Sequence, residues 1–118
     1  MQPEERDAAH LWDMLQAARE VEAMMADHTL ESFLDNRMLL RAIERGVEII
    51  GEAARRVSVT FTETHPEIPW RKIIGQRNIL AHEYGQIDHV LLYKTVKQDV
   101  PVLITQIERL LPPLEEHS

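Results

Sequence analysis

The stretch "LWDMLQAAREVEAMM", residues 11–25, carries the clearest structural pattern in this 118-residue chain. Six apolar side chains recur in it at intervals of three and four residues, the spacing that places side chains on one face of an α-helix. They are Leu11, Met14, Leu15, Ala18, Val21 and Met25. The pattern predicts an amphipathic helix over residues 5–27.

A similar pattern follows on the C-terminal side of this helix. The polar residues Thr29 and Ser32 indicate a restart, and apolar residues at helical spacing then continue to about residue 57. These residues are Leu39, Leu40, Ile43, Val47, Ile50, Ala54 and Val57. The next segment, "VSVTFT" at 57–62, is ambiguous, because its short alternation is also typical of a β-strand.

Two prolines, Pro66 and Pro69, mark a loop after the second helix. A third helix is expected to begin near Pro69, because proline suits the first turn of a helix. It is expected to end before Gly85, since glycine is favoured just after a helix C-terminus.

Asp88 is a suitable N-cap for a fourth helix. This helix either continues with a kink at Pro101 or breaks and restarts at Asp99, and it ends before Pro112. Short connections between long amphipathic helices favour antiparallel neighbours. The sequence therefore predicts a single all-α domain over residues 1–118, a four- to five-helix up-and-down bundle.

Composition excludes several functions. The absence of cysteine excludes disulfides, thiol nucleophiles and cysteine-ligated zinc. No run approaches the roughly 18 apolar residues of a membrane span, and the acidic N-terminus resembles no signal or transit peptide, so we expect a cytoplasmic protein. The net charge of -7 argues against a general nucleic-acid coat, yet residues 37–77 carry eight basic and five acidic side chains. That local excess either allows an anion site or is ordinary variation in helix surface charge.

The segment "RNILAHEY", residues 77–84, concentrates the reactive side chains of the chain. Arg77 occupies one position of an otherwise apolar helical stripe, and a buried unpaired charge is costly, so it must have partners. It either forms an internal salt bridge, for instance with Glu48 or Glu52, or lies in a cleft and binds an anion such as phosphate. The apolar members of the stripe are Trp70, Ile73, Leu80 and Tyr84.

His82 is the second candidate in this segment. It lies about 140° around an ideal helix from Arg77, so the two side chains share a site only if the helix ends loosely or a second copy of the protein completes the site. Asn78, four residues before His82, is spaced to orient the imidazole. The alternative is a structural histidine near a helix end.

Other familiar chemistries lack support. The four glycines are scattered and form no phosphate-binding loop, and the paired Glu-x-x-His units of di-metal bundles do not occur. The serines lie in no recognisable nucleophile motif. His82, Glu83, Asp88 and His89 match no standard metal-site spacing, so no metal or other cofactor is expected.

The chain also resembles a known family over nearly its whole length. Three segments are similar to HepT-type toxins of the HEPN (higher eukaryotes and prokaryotes nucleotide-binding) superfamily: "ERGVEIIGEAA" at 44–54, "IPWRKIIGQRNILAHEYGQID" at 68–88 and "VKQDVPVLITQI" at 96–107. The central segment contains the family's Arg-x-x-x-x-His motif followed by x-Tyr, without a departure.

This resemblance implies an all-helical homodimer with two motifs facing each other across a cleft. It implies metal-independent endoribonuclease activity, with Arg77 and His82 catalytic and Asn78 supporting. It also implies a toxin–antitoxin pair, in which an MntA-type nucleotidyltransferase antitoxin uses ATP to adenylylate Tyr84. The alternative function is a non-catalytic helical dimer that binds a nucleotide or a nucleotidyltransferase partner.

The chemistry of RNA cleavage is compatible with these residues. RNA supplies its own nucleophile, the 2′-hydroxyl, so neither a covalent residue nor a metal is needed. A histidine with a pKa near neutrality suits proton transfer, and an arginine suits the charge that develops on the phosphate. The expected products are a 2′,3′-cyclic phosphate and a 5′-hydroxyl.

Overall fold

The computed structural model describes residues 4–82 and 87–111, without the side chain of His82. This part of the chain contains helices and no strand, so the predicted all-α class is confirmed. The helices are α1 (Glu5–Met25), α2 (Leu30–Leu34), α3 (Arg37–Arg56), α4 (Val59–Thr64), α5 (Trp70–His82), α6 (His89–Lys94) and α7 (Val100–Leu110). A π-helical segment, Thr95–Asp99, joins α6 to α7. None of the helices described is long and apolar enough to cross a membrane.

In the described part of the chain, four long helical segments form the bundle: α1, α3, α5 and the continuous run from α6 to α7. Helix α3 packs against both α1 and α5, and α1 also packs against α7. Every apolar residue of the predicted α1 stripe is buried in the shared core. Burial of this stripe, rather than intrinsic helix propensity, is the main reason that such a helix is stable.

The predicted second helix is divided into two. Thr29 and Ser32 form a capping box at the start of α2. The Thr29 side chain accepts from the Ser32 N–H, and Ser32 Oγ accepts from the Thr29 N–H at 2.9 Å. A separate helix, α3, then begins after Asn36, whose Oδ1 accepts from the Leu39 N–H at 3.0 Å. The Asn36 side chain takes the place of a backbone carbonyl as the acceptor for this N–H. A new helix therefore starts here, although the apolar spacing alone predicted one continuous helix.

The ambiguous segment at 57–62 is not a strand: residues 57 and 58 connect α3 to α4, and the remainder is helical. Ser58 caps α4, its Oγ accepting from the Phe61 N–H at 3.2 Å, and Phe61 is buried. Ser58 also donates from its N–H and its Oγ to the buried carboxylate of Asp7, at 2.9 Å and 2.7 Å. The start of α1 is therefore tied to the start of α4.

The predicted start of the fourth helix is confirmed, and of the two alternatives for its middle the structure has the continuous one. Asp88 caps α6, with Oδ1 accepting from the Leu91 N–H at 3.0 Å. The chain does not break at Asp99, because the Val100 N–H donates to Thr95 O, five residues earlier. This widened turn precedes Pro101, which has no N–H to donate, and helical structure continues through α7.

Candidate functional site

The candidate site lies where α5 crosses α3. Helix α5 begins at Trp70, as the preceding proline predicts, and the Trp70 indole donates to His65 O at 2.9 Å. Of the predicted stripe, Trp70 and Leu80 are buried and Ile73 is partly buried against the core. The stripe holds α5 against α3, with Arg77 at their interface.

Gly51 of α3 makes this close crossing possible. A Cβ added at Gly51 would lie 2.2 Å from Arg77 Cβ and 3.0 Å from Ile73 O. Only glycine leaves room for the α5 backbone and the base of the arginine side chain at this point. The stem of Arg77 is therefore fixed against the α3 backbone.

The guanidinium of Arg77 has two partners. Its Nη2 forms an ion pair with Glu52 Oε2 at 3.0 Å, and its Nη1 donates to Asn78 Oδ1 at 3.1 Å. The Nε is buried and has no hydrogen-bond partner within residues 4–82 and 87–111 as described. The side chain of Arg77 is 21% exposed, so part of it remains accessible to a ligand.

Glu52 interacts with three guanidiniums at once. Besides Arg77, it accepts from Arg55 Nη2 at 2.7 Å and lies 3.2 Å from Arg56 Nη2. The hydrogen bond from Arg55, with the charges of Arg55, Arg77 and Arg56, lowers the pKa of Glu52 below its ordinary value. Three guanidiniums therefore cluster around one carboxylate.

A polar groove of about 460 Å³ runs beside this cluster, between α1, α3 and α5. Arg77 and Glu52 line it from α5 and α3, and His10 lines it from α1. Sequence reasoning missed His10, because it lies 67 positions before Arg77 and no local spacing connects the two. It also missed the role of Gly51, although a glycine inside a strongly helical segment indicates a close backbone approach.

Of the two interpretations of Arg77, the salt bridge with Glu52 is present. Glu48, the other suggested partner, pairs with Arg45 at 3.4 Å instead. This pairing does not exclude anion binding, since the guanidinium has five N–H donors and Glu52 and Asn78 engage two of its nitrogens.

The other predicted site residues are placed only in part. The Asn78 side chain contacts Arg77, whereas its expected contact with His82 stays a prediction, because the His82 side chain lies outside the described residues. Tyr84 lies outside them as well. The structure therefore brings together Arg77, Asn78 and Glu52, and it does not test the pairing of Arg77 with His82.

Metal-ligating residues form no cluster of three or more within the described ranges. His89 faces a different carboxylate: its Nε2 lies 2.5 Å from Oε2 of the buried Glu44. Arg41 Nη1 also pairs with Glu44, at 3.0 Å. Glu83 belongs to the same set of acidic residues and histidines as Asp88 in the sequence. It lies outside the described ranges.

The fold and the groove define a small all-α protein with an arginine held between two packed helices. A sequence profile of the family described as "Ribonuclease HepT-like" matches residues 14–110. The chain belongs to this HepT-like ribonuclease family.

Individual relatives agree with this assignment. The chain is 42% identical over 100 residues to a candidate RNase of Methanocaldococcus jannaschii, covering 85% of this chain and 92% of that protein. It is 38% identical over 101 residues to the "Probable ribonuclease HepT" of Thermococcus cleftensis, covering 86% and 92%. A candidate RNase of Caldanaerobacter subterraneus is 35% identical over 83 residues, covering 70% and 74%. No solved structure gives a significant match.

Proposed function

We propose that this chain is a metal-independent endoribonuclease and the toxin of a toxin–antitoxin pair, with Arg77 and His82 as its catalytic residues. The observation that carries the proposal is the position of Arg77, whose partly exposed guanidinium lines a polar groove five residues before His82 on the same helix. Membership in a ribonuclease family and the RNase names of the relatives support RNA as the substrate.

The proposed reaction is an attack of the RNA 2′-hydroxyl on the adjacent phosphorus. The bond from the 2′-oxygen to phosphorus forms as the bond from phosphorus to the 5′-oxygen breaks, and a proton passes from the 2′-oxygen to the leaving 5′-oxygen. His82 accepts or donates that proton, and Arg77 stabilises the negative charge on the phosphate oxygens. Asn78, which accepts from Arg77, holds the guanidinium from the solvent side.

We further propose that two copies form the active unit. Ile49 lines the groove and is 37% exposed, and Ile79, two residues after Arg77, is 41% exposed. Exposed apolar side chains such as these suit a face that a second copy covers. Such a dimer brings two Arg77 and two His82 into one cleft.

Purified protein incubated with total RNA tests the assignment. His82→Ala and Arg77→Ala are each expected to lose most of the cleavage while keeping wild-type helicity and melting temperature, and EDTA is expected to change nothing. A fully active His82→Ala protein would remove the activity from this motif. Bound but uncut RNA with the wild-type protein would favour the non-catalytic binding module instead.

Regulation by an MntA-type nucleotidyltransferase antitoxin is the second part of the proposal. The antitoxin transfers AMP from ATP to the hydroxyl of Tyr84, and the added negative charge and bulk compete with the substrate phosphate for Arg77. Mass spectrometry of protein co-expressed with such an enzyme is expected to show AMP increments on Tyr84. Tyr84→Phe is expected to stay toxic in its presence. Neutralised toxicity without any AMP increment would indicate inhibition by binding alone.

A further inference from the structure

We propose that Glu52 is a positioning residue for Arg77 and sets the orientation of its guanidinium in the groove. The proposal rests on the proposed ribonuclease function of Arg77. It concerns a residue of α3, 25 positions before the motif and outside its spacing.

The geometry of the Arg77 side chain leaves it few orientations. Its Cβ lies against Gly51, where an added methyl group would be only 2.2 Å away, so the stem is fixed at its base. The residue that follows Gly51 on α3 is Glu52, and its carboxylate holds the far end of the arginine at 3.0 Å. Two successive α3 residues therefore fix the side chain at both ends.

The surroundings of Glu52 indicate whether it mainly cancels the charge of Arg77 or mainly orients its guanidinium. An isolated ion pair cancels the charge of its arginine, but this carboxylate is shared among Arg55, Arg56 and Arg77. Arg55 is the nearest of the three, at 2.7 Å, and the side chains of Arg55 and Arg56 are more than half exposed. The Arg77 guanidinium is therefore not matched one to one with a carboxylate, and it keeps a fixed direction, as a phosphate-binding fork requires.

The buried Nε of Arg77 is an independent reason to expect that Arg77 depends on Glu52 for its orientation. It has no partner among the described residues, where the guanidinium depends on its two terminal nitrogens for polar contacts. Asn78 is exposed and is the immediate neighbour of Arg77 on α5, whereas Glu52 is the contact that crosses to another helix. Loss of Glu52 would leave a mostly buried cation with an exposed amide as its remaining partner.

The test is steady-state RNA cleavage by Glu52→Ala and Glu52→Gln. Misplacement of a catalytic group by about 1 Å costs up to about 100-fold in rate, so Glu52→Ala is expected to lower kcat by about 10- to 100-fold with a smaller change in KM. Glu52→Gln keeps the size and one acceptor oxygen and is expected to lose less. Its pH–rate profile is expected to keep the wild-type shape, because a positioning residue transfers no proton. A lost limb of that profile would make Glu52 an acid or base and overturn the proposal.

A double-mutant cycle shows whether Glu52 acts through Arg77. Arg77→Ala and the Glu52→Ala/Arg77→Ala double variant are expected to have the same residual cleavage rate, and the same affinity for an uncleavable RNA with a 2′-deoxy scissile site. An additive further loss in the double variant would overturn the proposal. Because affinity is measured as well, the cycle remains usable if residual cleavage is too slow to detect.

Glu108→Ala is the matched control. It removes another ion pair between helices, Arg19 with Glu108 at 2.6 Å, away from the groove. Its kcat is expected to equal that of the wild type. A wild-type rate for Arg77→Ala would refute the proposed function of the motif. A slow Arg77→Ala together with a wild-type rate for Glu52→Ala would refute the positioning role alone. Equal rate losses in Glu52→Ala and Glu108→Ala, with equal losses of melting temperature, would also refute it.

Discussion

At the residue scale, the sequence presented two alternatives for Arg77, an internal salt bridge and a cleft position that binds an anion, and the second stays a proposal. Arg77 is part of an internal salt bridge with Glu52, and it also lines a polar groove. A carboxylate that held Arg77 alone would favour a structural pair. Because Arg55 and Arg56 share the same carboxylate, Arg77 and Glu52 do not form an isolated pair.

The lowered pKa of Glu52 leads to a pH-dependent stability. A carboxylate whose pKa in the folded protein is below its ordinary value of 4.5 stabilises the fold above that value, and the contribution is lost as the pH falls through the folded pKa. The loss of free energy of unfolding in Glu52→Gln is therefore expected to be largest near neutral pH and to shrink below pH 4.5. Urea unfolding of both proteins from pH 7 downward measures it, and a difference that does not change with pH would contradict it.

At the scale of helices, the close packing of α3 depends on two glycines on its surface. At Gly46 an added Cβ would meet the Val21 side chain of α1 at 2.3 Å, and at Gly51 it would meet Arg77 Cβ and the backbone at Ile73. A side-chain methyl group moves by rotation, whereas the backbone of a packed helix moves only as a unit. Gly51 therefore fixes the spacing of α3 and α5 more strictly than Gly46 fixes that of α3 and α1.

Alanine substitutions test this difference. Gly51→Ala is expected to lower the free energy of unfolding by about 1–3 kcal/mol or more, the usual cost of overpacking, and to reduce RNA cleavage because Arg77 is displaced. Gly75→Ala is the control, since nothing lies within 4 Å of its added Cβ. There the higher helix propensity of alanine is expected to raise stability by about 0.5–1 kcal/mol. A fully stable and active Gly51→Ala protein would contradict the close-packing argument.

At the scale of the whole molecule, the proposed active unit is larger than one chain. The described part of α5 turns Arg77 toward α3, and Ile79 is exposed and lies about 200° around the helix from Arg77. A second copy that covers Ile79 would therefore lie against the side of α5 that faces away from α3. Arg77 and His82 lie about 140° apart on an ideal helix, so one copy does not place both in one site. In the proposed dimer, each site would combine a residue of one copy with a residue of the other.

Light scattering tests the dimer. The wild-type protein is expected to have about twice the 13.7 kDa chain mass. Ile79→Glu is expected to give monomers with little cleavage, because a charge on the covered face opposes association. Val59→Glu, at a 70% exposed position of α4, is the control and is expected to remain dimeric. A monomeric wild-type protein that cleaves RNA at low concentration would contradict the shared cleft.

Local signals predicted the helices more accurately than the breaks between them. Asp88 and Pro69 placed two helix starts within a residue, because capping and proline geometry depend on the adjacent backbone. The segment at 57–62 was not resolved from sequence, since Ser58 caps a short helix whose start is also held by Asp7, 51 positions away. The turn before Pro101 likewise depends on a π-helical segment that no spacing rule predicts.

The sequence by itself determined the all-α class, the buried face of α1 and the candidate arginine, because apolar periodicity and motif spacing are local properties. Only the tertiary structure decided what surrounds Arg77. Gly51 and Glu52 of α3 contact it, and His10 of α1 lines the same groove, because α1, α3 and α5 pack together. The choice of Glu52 over Glu48 as its partner depends on the crossing point of two helices, which the close approach at Gly51 fixes.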